Sequence, residues 1–300
     1  MGIPELIKNV KAGDKRSLAR CISIVENEIQ GYDEILSSLE FNSAIPVIGI
    51  TGPPGAGKSS LLNGLISEVL KRGKKAGVIA VDPTSPFNFG SVLGDRVRMS
   101  EHFTNENVFI RSMATRGALG GLSPKVFEVV DLMKAAKFDF IFVETVGVGQ
   151  SEVEIAGLAD TTILVLVPEA GDEIQTIKSG VMEIADIFVV NKADRDGAAT
   201  FLKNLKSLVH SRPFSDWTPP VLKTVASKGE GLAEVISEAE NHNRLKHDRT
   251  RMIHLMTEKA WMMIQNIRMK GLTKKRIFED LEKDFRDQGF NLYNYLKKWI

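Results

Sequence analysis

The chain has little cysteine, no long apolar run and almost no net charge. Cys21 is the only cysteine among 300 residues, which excludes an intrachain disulfide framework and a cysteine-rich metal site. No segment approaches the roughly 18 consecutive apolar residues of a membrane-spanning helix, so we expect no membrane partner. The net charge of +1 offers no overall attraction to nucleic acid, and none is expected as a partner.

The amino-terminal region also lacks a targeting pattern. The first 20 residues carry five lysines or arginines but no apolar stretch of the kind that forms a signal peptide. A single cysteine suits a reducing compartment. These features predict a cytoplasmic protein, although a short basic start leaves open the import of a longer precursor into an organelle.

Short β-rich segments alternate with helical stretches through most of the chain. This alternation predicts an α/β fold with a mostly parallel central sheet flanked by helices. We expect residues 1–42 to form an N-terminal helical segment, residues 43–240 the domain that contains the sheet, and residues 241–300 a C-terminal helical arm. The predicted strands are 47–50, 77–81, 108–110, 140–143, 162–167, 187–190 and 221–222.

One motif predicts phosphate binding. It lies between a strand-like segment and a helix-like one and matches the pattern G-x-x-x-x-G-K-[ST] as Gly52-Pro53-Pro54-Gly55-Ala56-Gly57-Lys58-Ser59. Its glycines let backbone N–H groups surround phosphates, Lys58 can reach the β and γ oxygens, and the Ser59 hydroxyl can ligate magnesium. The following helix, which includes Ser60 in the predicted binding set, directs its positive end at the anion. The domain is therefore predicted to be a P-loop NTPase.

A second motif predicts which base is bound. Asn191, Lys192 and Asp194 form N-K-x-D directly after the predicted strand 187–190. Asp194 would accept the N1–H and the exocyclic amine of guanine, while Asn191 would bond the base edge and the Lys192 stem would pack along its face. Adenine offers neither donor there, so GTP is expected rather than ATP. Ala226 could offer its amide to the guanine carbonyl, or could belong to an ordinary loop.

Carboxylates near predicted strand ends suggest a magnesium site. Mg²⁺ prefers oxygen ligands and keeps several waters, so only one or two carboxylates can contact it. The expected order of preference is Glu144, Asp82 and then Asp95, with Ser59 as the hydroxyl ligand. The alternative for each carboxylate is a helix cap or a loop position.

The segment 144–150 is predicted to be a switch. Its glycines allow a backbone amide to approach the γ-phosphate and the segment to rearrange when that phosphate leaves. Gln150 is placed to orient an attacking water, or to bond the neighbouring backbone. Two more candidate switch segments are 83–98 and 169–178.

Together these motifs resemble the MeaB/ArgK-type GTPases, chaperones of methylmalonyl-CoA mutase that include the human methylmalonic aciduria type A protein. The resemblance implies a GTPase core flanked by helical termini, with the C-terminal arm building a homodimer. It also implies that the binding of GTP and its hydrolysis to GDP gate the delivery of adenosylcobalamin to a cobalamin-dependent acyl-CoA mutase and protect that mutase from inactivation. The matching stretches are 49–59, 80–83, 90–99, 109–112, 117–121, 143–152, 170–173 and 190–194.

The same resemblance assigns roles to single residues. It implies that Lys58 carries phosphate, that Ser59, Asp82, Asp95 and Glu144 surround Mg²⁺, and that Asn191, Lys192 and Asp194 read guanine. Residues 169–178 are similar to the family's partner-sensing switch, in which Asp172 and Lys178 are the residues to test. The set expected to act in hydrolysis is Lys58, Asp95, Gln150 and Lys178.

The chain departs from the family pattern in two places. Residues 85–89 are more apolar than expected of this loop, and the tail after residue 240 matches only in helical character.

Three other functions are open to a chain with these motifs. One alternative is a GTPase metallochaperone of a nickel enzyme, against which the lack of a Cys/His-rich segment argues. The others are a kinase acting on a small molecule or a transport protein, linked to amino-acid transport, and a scaffold that binds GTP without turnover.

Overall fold

A seven-stranded parallel sheet organises the chain. The computed structural model describes residues 1–40, 45–82, 99–114, 123, 125–145, 155–170, 179–211, 217–245, 249–269, 271–285 and 290–299. The strand order is β3-β2-β4-β1-β5-β6-β7, and every pairing is parallel. This confirms the predicted fold class. The strands are β1 Val47–Thr51, β2 Ala76–Asp82, β3 Val108–Ala114, β4 Phe140–Glu144, β5 Thr161–Leu166, β6 Ile187–Val190 and β7 Val221–Lys223.

Helices cover both faces of the sheet and form the two ends of the chain. The helices in the described residues are α1 Ile3–Ala12, α2 Lys15–Glu26, α3 Tyr32–Ser37, α4 Lys58–Lys71, α5 Val126–Ala135, α6 Ser179–Ile184, α7 Ala198–His210, α8 Leu232–Leu245, α9 Arg249–Arg268, α10 Lys274–Asp284 and α11 Leu292–Leu296. None of these described helices has the combination of length and apolar character that crossing a bilayer requires.

The N-terminal helices pack against one another and against α5. Leu18, Ile22 and Val25 recur at helical spacing along α2 and are fully buried, and α2 packs against α1, α3 and α5. The carboxylate of Asp14 caps α2 by accepting a 2.7 Å hydrogen bond from the amide of Ser17. The helical periodicity of this region is therefore explained by burial of one face.

The central strand β1, which leads into the phosphate-binding motif, is buried on both sides. All five residues of β1 are buried, between β4 on one side and β5 on the other. On one face of the sheet, Leu61 and Leu65 of α4 pack with Val235 and Ile236 of α8. Parallel strands covered in this way bring their carboxyl ends to one edge, where α/β proteins bind ligands.

The chain divides into two compact units, residues 1–255 and 256–300. Within the second unit, the ring of Tyr295 lies 6.4 Å from that of Phe290 and 6.2 Å from that of Trp299, centroid to centroid. Large apolar side chains of α9 are exposed, including Trp261 and Ile267. The predicted boundaries at residues 42 and 240 stay predictions.

Candidate nucleotide-binding site

The phosphate-binding motif forms the loop between β1 and α4. The φ angles of Gly52, Gly55 and Gly57 are +140°, +76° and +85°, values that residues with a side chain rarely adopt. A Cβ atom on Gly52 would lie 2.2 Å from the carbonyl oxygen of Val165 in β5. Glycine is thus required at position 52 both by backbone conformation and by the close approach of the next strand.

Lys58 begins α4 and turns back over the loop. Its side chain is buried, and Nζ donates hydrogen bonds to the carbonyl oxygens of Gly52 at 2.9 Å and Pro53 at 3.1 Å. The ammonium group therefore lies against the loop whose N–H groups are expected to hold phosphate oxygens.

Ser59 and Glu144 come together beside the loop. The β1–β4 register pairs Ile50 with Glu144, which places this carboxylate next to the end of β1. The Ser59 hydroxyl donates a 2.7 Å hydrogen bond to Oε1 of Glu144, and both residues are buried. A hydroxyl and a carboxylate in contact are oxygen donors of the kind that Mg²⁺ prefers, so these two residues fit the predicted ion.

The other predicted hydrolysis and metal residues are only partly described. Asp82 ends β2, two residues beyond Ala80, which pairs with Glu144. Its backbone therefore lies at the same edge of the sheet, and its side chain is outside the described set. Asp95, Gln150 and Lys178 lie outside the described residues, as does Asp172. Their roles stay predictions.

Asn191 joins three parts of the site. It is 2% exposed, and Nδ2 donates to the carbonyl oxygen of Ala56 at 3.0 Å. Oδ1 accepts from the Thr224 hydroxyl at 3.1 Å and from the Ala226 amide at 3.2 Å. A Cβ atom on Gly57 would lie 2.5 Å from Nδ2, so glycine there permits the approach. Both polar ends of Asn191 thus bind protein groups, and the Ala226 amide is directed at this side chain.

Lys192 and Asp194 lie on the exposed side of the same loop. Lys192 has a left-handed φ of +56°, and its Nζ donates to the carbonyl oxygen of Gly55 at 2.7 Å. Asp194 pairs with Lys228 at 3.0 Å. The hydrogen bond from Lys228 is the main reason that the pKa of Asp194 lies below its ordinary value, and burial acts in the opposite direction. At neutral pH this carboxylate is therefore ionised and accepts hydrogen bonds only.

These residues surround a cleft of about 260 Å³. One end of the cleft is the phosphate-binding loop, and its walls are the N-K-x-D loop and the segment after β7. The lining residues are Gly57, Ser60, Asn191, Lys192, Asp194, Arg195, Val225, Ala226 and Ser227. The predicted base-binding residues are brought together with the predicted phosphate-binding residues, as one nucleotide site requires.

Sequence reasoning missed Thr224, Lys228 and the Arg195–Glu169 ion pair. Arg195 follows the N-K-x-D motif and pairs with Glu169 in the short 3₁₀ helix Pro168–Ala170. Thr224 directly follows β7, so its place after a strand was a usable signal. No local pattern marks Lys228, whose partner lies 34 residues away in sequence.

Comparisons with known proteins show which family the chain belongs to. The model of the family described as methylmalonyl Co-A mutase-associated GTPase MeaB matches residues 18–280. A putative GTPase of Pyrococcus abyssi is 49% identical over 263 residues, which are 84% of this chain and 81% of that protein. The mitochondrial methylmalonic aciduria type A homolog of Caenorhabditis elegans is 36% identical, over 78% of this chain and 64% of its own. A crystal structure of a LAO/AO transport system kinase superimposes with a TM-score of 0.69 at 26% identity, over 99% of this chain and 96% of that one.

Proposed function

The chain belongs to the MeaB family of methylmalonyl-CoA mutase-associated GTPases, and we propose that it is a GTP-driven chaperone of a cobalamin-dependent acyl-CoA mutase. In this proposal, GTP binding and hydrolysis gate the delivery of adenosylcobalamin to the mutase and protect it from inactivation. Methylmalonyl-CoA mutase is the first candidate partner because the family description names it. The GTP-dependent part of the proposal is carried by the cleft that joins the phosphate-binding loop to the N-K-x-D loop, and the partner is taken from the family description.

Phosphate binding is assigned to residues 52–60. The loop amides and the Lys58 ammonium would hold the β and γ phosphates, with Lys58 exchanging its carbonyl partners for phosphate oxygens. Ser59 and Glu144 would hold Mg²⁺, and we assign Asp82 and Asp95 to the same ion as further carboxylates. Bound Mg²⁺ supplies positive charge that stabilises the negative charge developing on the phosphate oxygens.

Base recognition is assigned to Asp194, supported by its neighbours. Its carboxylate would accept the N1–H and 2-amino hydrogens of guanine, and the Lys192 stem would cover the base. The contacts of Asn191 favour a bracing role, since it ties the phosphate-binding loop to the Thr224–Ala226 segment. Guanine binding and phosphate binding would then be held in one geometry.

Hydrolysis follows from attack of water on the γ-phosphorus. A bond forms between the water oxygen and phosphorus, the bond to the β–γ bridging oxygen breaks, and the products are GDP and phosphate. We assign orientation of the water to Gln150, with Asp95 and Lys178 acting from the neighbouring switch segments. Because catalysis of this reaction is mainly positioning and charge stabilisation, a partner that orders these segments would accelerate it.

The C-terminal arm is proposed to build a homodimer. Trp261, Ile264 and Ile267 of α9 recur at intervals of three residues and are 58%, 48% and 68% exposed. Large apolar side chains grouped on one helix are a common mark of a protein interface. A second copy of the chain is the partner that the family resemblance implies.

The protective role can be tested by following mutase inactivation during turnover. The mutase is assayed alone, with wild-type protein and GTP, and with Lys58→Ala and GTP. We expect wild-type protein with GTP to prolong mutase activity and Lys58→Ala, which loses a phosphate contact, to have little effect. Thermal unfolding of the variant without nucleotide serves as the control for its folding. Equal inactivation rates in all three reactions would refute the chaperone assignment.

A kinase is the second candidate, because one structural relative carries the name LAO/AO transport system kinase. It would transfer the γ-phosphate to an acceptor instead of water. Incubation with γ-labelled GTP distinguishes the two functions: label in a small molecule or transport protein supports the kinase, and label in inorganic phosphate alone supports hydrolysis.

A further inference from the structure

The ion pair between Asp194 and Lys228 joins two loops of the nucleotide site. Asp194 lies in the N-K-x-D loop after β6, and Lys228 ends the short 3₁₀ helix Ala226–Lys228 after β7. Nζ of Lys228 lies 3.0 Å from Oδ2 of Asp194. The side chain of Asp194 is 40% exposed and that of Lys228 is 56% exposed. The carboxylate proposed to read guanine therefore has a charged partner outside the N-K-x-D motif.

A carboxylate at this exposure needs an orienting contact to act as a two-point acceptor. Guanine presents N1–H and the 2-amino group side by side, so both carboxylate oxygens must face the base at once. An ionised carboxylate has about four lone-pair positions, and the base uses two of them. Lys228 can therefore remain bound to an outer lone pair while guanine occupies the inner ones.

The surrounding charges favour the same arrangement. Arg195 follows Asp194 directly and adds positive charge that favours the ionised carboxylate, while the negative charge of Glu230 favours the protonated form of Lys228. Lys192 is directed to the phosphate-binding loop instead. Among the described side chains, Lys228 is the cation within hydrogen-bonding distance of the Asp194 carboxylate.

We propose that Lys228 is a positioning residue that sets guanine specificity by orienting the Asp194 carboxylate. The inference rests on the proposed guanine site and adds a residue to it. Loss of the Lys228 contact would mainly weaken the hydrogen bond between the Asp194 carboxylate and the 2-amino group of guanine, because a misoriented carboxylate can still accept the hydrogen of N1–H. The predicted consequence is a loss of discrimination between guanine and hypoxanthine, which lacks the 2-amino group.

The test compares the affinities of GDP and IDP by calorimetry, since diphosphates avoid hydrolysis. For the wild-type protein we expect GDP to bind about tenfold to a hundredfold more tightly, as for one hydrogen bond to a charged group. Lys228→Met should reduce the ratio of the two affinities about two- to fivefold, the range of an exposed ion pair. Lys228→Arg should restore it. Lys203→Met, which removes an exposed lysine of α7, is the matched control and should leave the ratio unchanged.

The outcomes separate this inference from the site on which it rests. An unchanged ratio in Lys228→Met, with a ratio that collapses in Asp194→Asn, would overturn the role of Lys228 and keep the guanine site. Tighter GDP binding by Lys228→Met would also overturn it, since Lys228 would then compete with the base. An unchanged ratio in Asp194→Asn would remove the guanine-site assignment itself.

Discussion

Replacing Asn191 with alanine tests whether this side chain braces the site or mainly contacts the base. The substitution removes three hydrogen bonds of 3.0, 3.1 and 3.2 Å, to Ala56, Thr224 and Ala226, and a longer one of 3.5 Å to the carbonyl oxygen of Gly57. A neutral hydrogen bond contributes about 0.5–1.5 kcal/mol to stability. Because Asn191 is buried, we expect the free energy of unfolding to fall by about 2–4 kcal/mol even without nucleotide.

The matched variant is Thr224→Val, which removes one of the three bonds and keeps the side-chain shape. It should lower the free energy of unfolding by about 1 kcal/mol. Thermal unfolding without nucleotide should rank the proteins as wild type, Thr224→Val and Asn191→Ala, the last with a midpoint lower by roughly 3–8 °C. An Asn191→Ala protein that unfolds at the wild-type temperature but has lost guanine nucleotide binding would refute the bracing role of Asn191. It would support instead a direct contact between Asn191 and the edge of the base.

Three other substitutions test separate features. Gly52→Ala places a Cβ atom 2.2 Å from the carbonyl oxygen of Val165, so calorimetry should show that GTP affinity falls by roughly a hundredfold or more. The control is Gly73→Ala, which is also at positive φ but in open space and should retain wild-type affinity. Asp14→Ala removes the cap of α2 and should lower the free energy of unfolding in urea by about 1 kcal/mol at pH 7. Hydrogen bonds with Ser17 lower the pKa of Asp14 in the folded protein. The stability difference between wild type and Asp14→Ala is therefore complete above the unfolded pKa of about 3.9 and disappears as the pH falls through the lower folded pKa. A stability difference that grows on acidification would contradict the capping role. Ile267→Asp should convert a dimer to a monomer in light scattering with unchanged intrinsic GTP hydrolysis, and an unchanged mass would exclude this face of α9 from the interface.

The sheet and the loop could be predicted from the sequence because their signals are local. The run 140–143 is continuously apolar since β4 is buried on both faces, and the structure extends the strand by one residue to Glu144. The glycine pattern of residues 52–57 likewise reflects backbone angles within the loop itself. Short-range patterns of this kind do not depend on how distant segments meet.

The side-chain contacts of the site could not be predicted in this way. Asn191 meets Ala56 across 135 residues of sequence, and Asp194 meets Lys228 because the loops after β6 and β7 lie side by side. The N-K-x-D pattern therefore predicts a position for the base, while the contacts that Asn191 and Asp194 make with other loops depend on how distant segments meet. The exposed apolar residues of α9 are ambiguous in sequence for the same reason, since periodicity does not distinguish a core from an interface.

The most direct test of the proposed function is phosphate release from GTP, measured with and without a cobalamin-dependent acyl-CoA mutase from the same source. The protein alone should hydrolyse GTP slowly, Lys58→Ala should show little activity, and saturating mutase should strongly accelerate the wild-type protein. Acceleration that requires Lys58 would support partner-coupled hydrolysis at the site described above. Slow turnover that saturating mutase leaves unchanged would contradict the central claim and would leave a GTPase with a different partner.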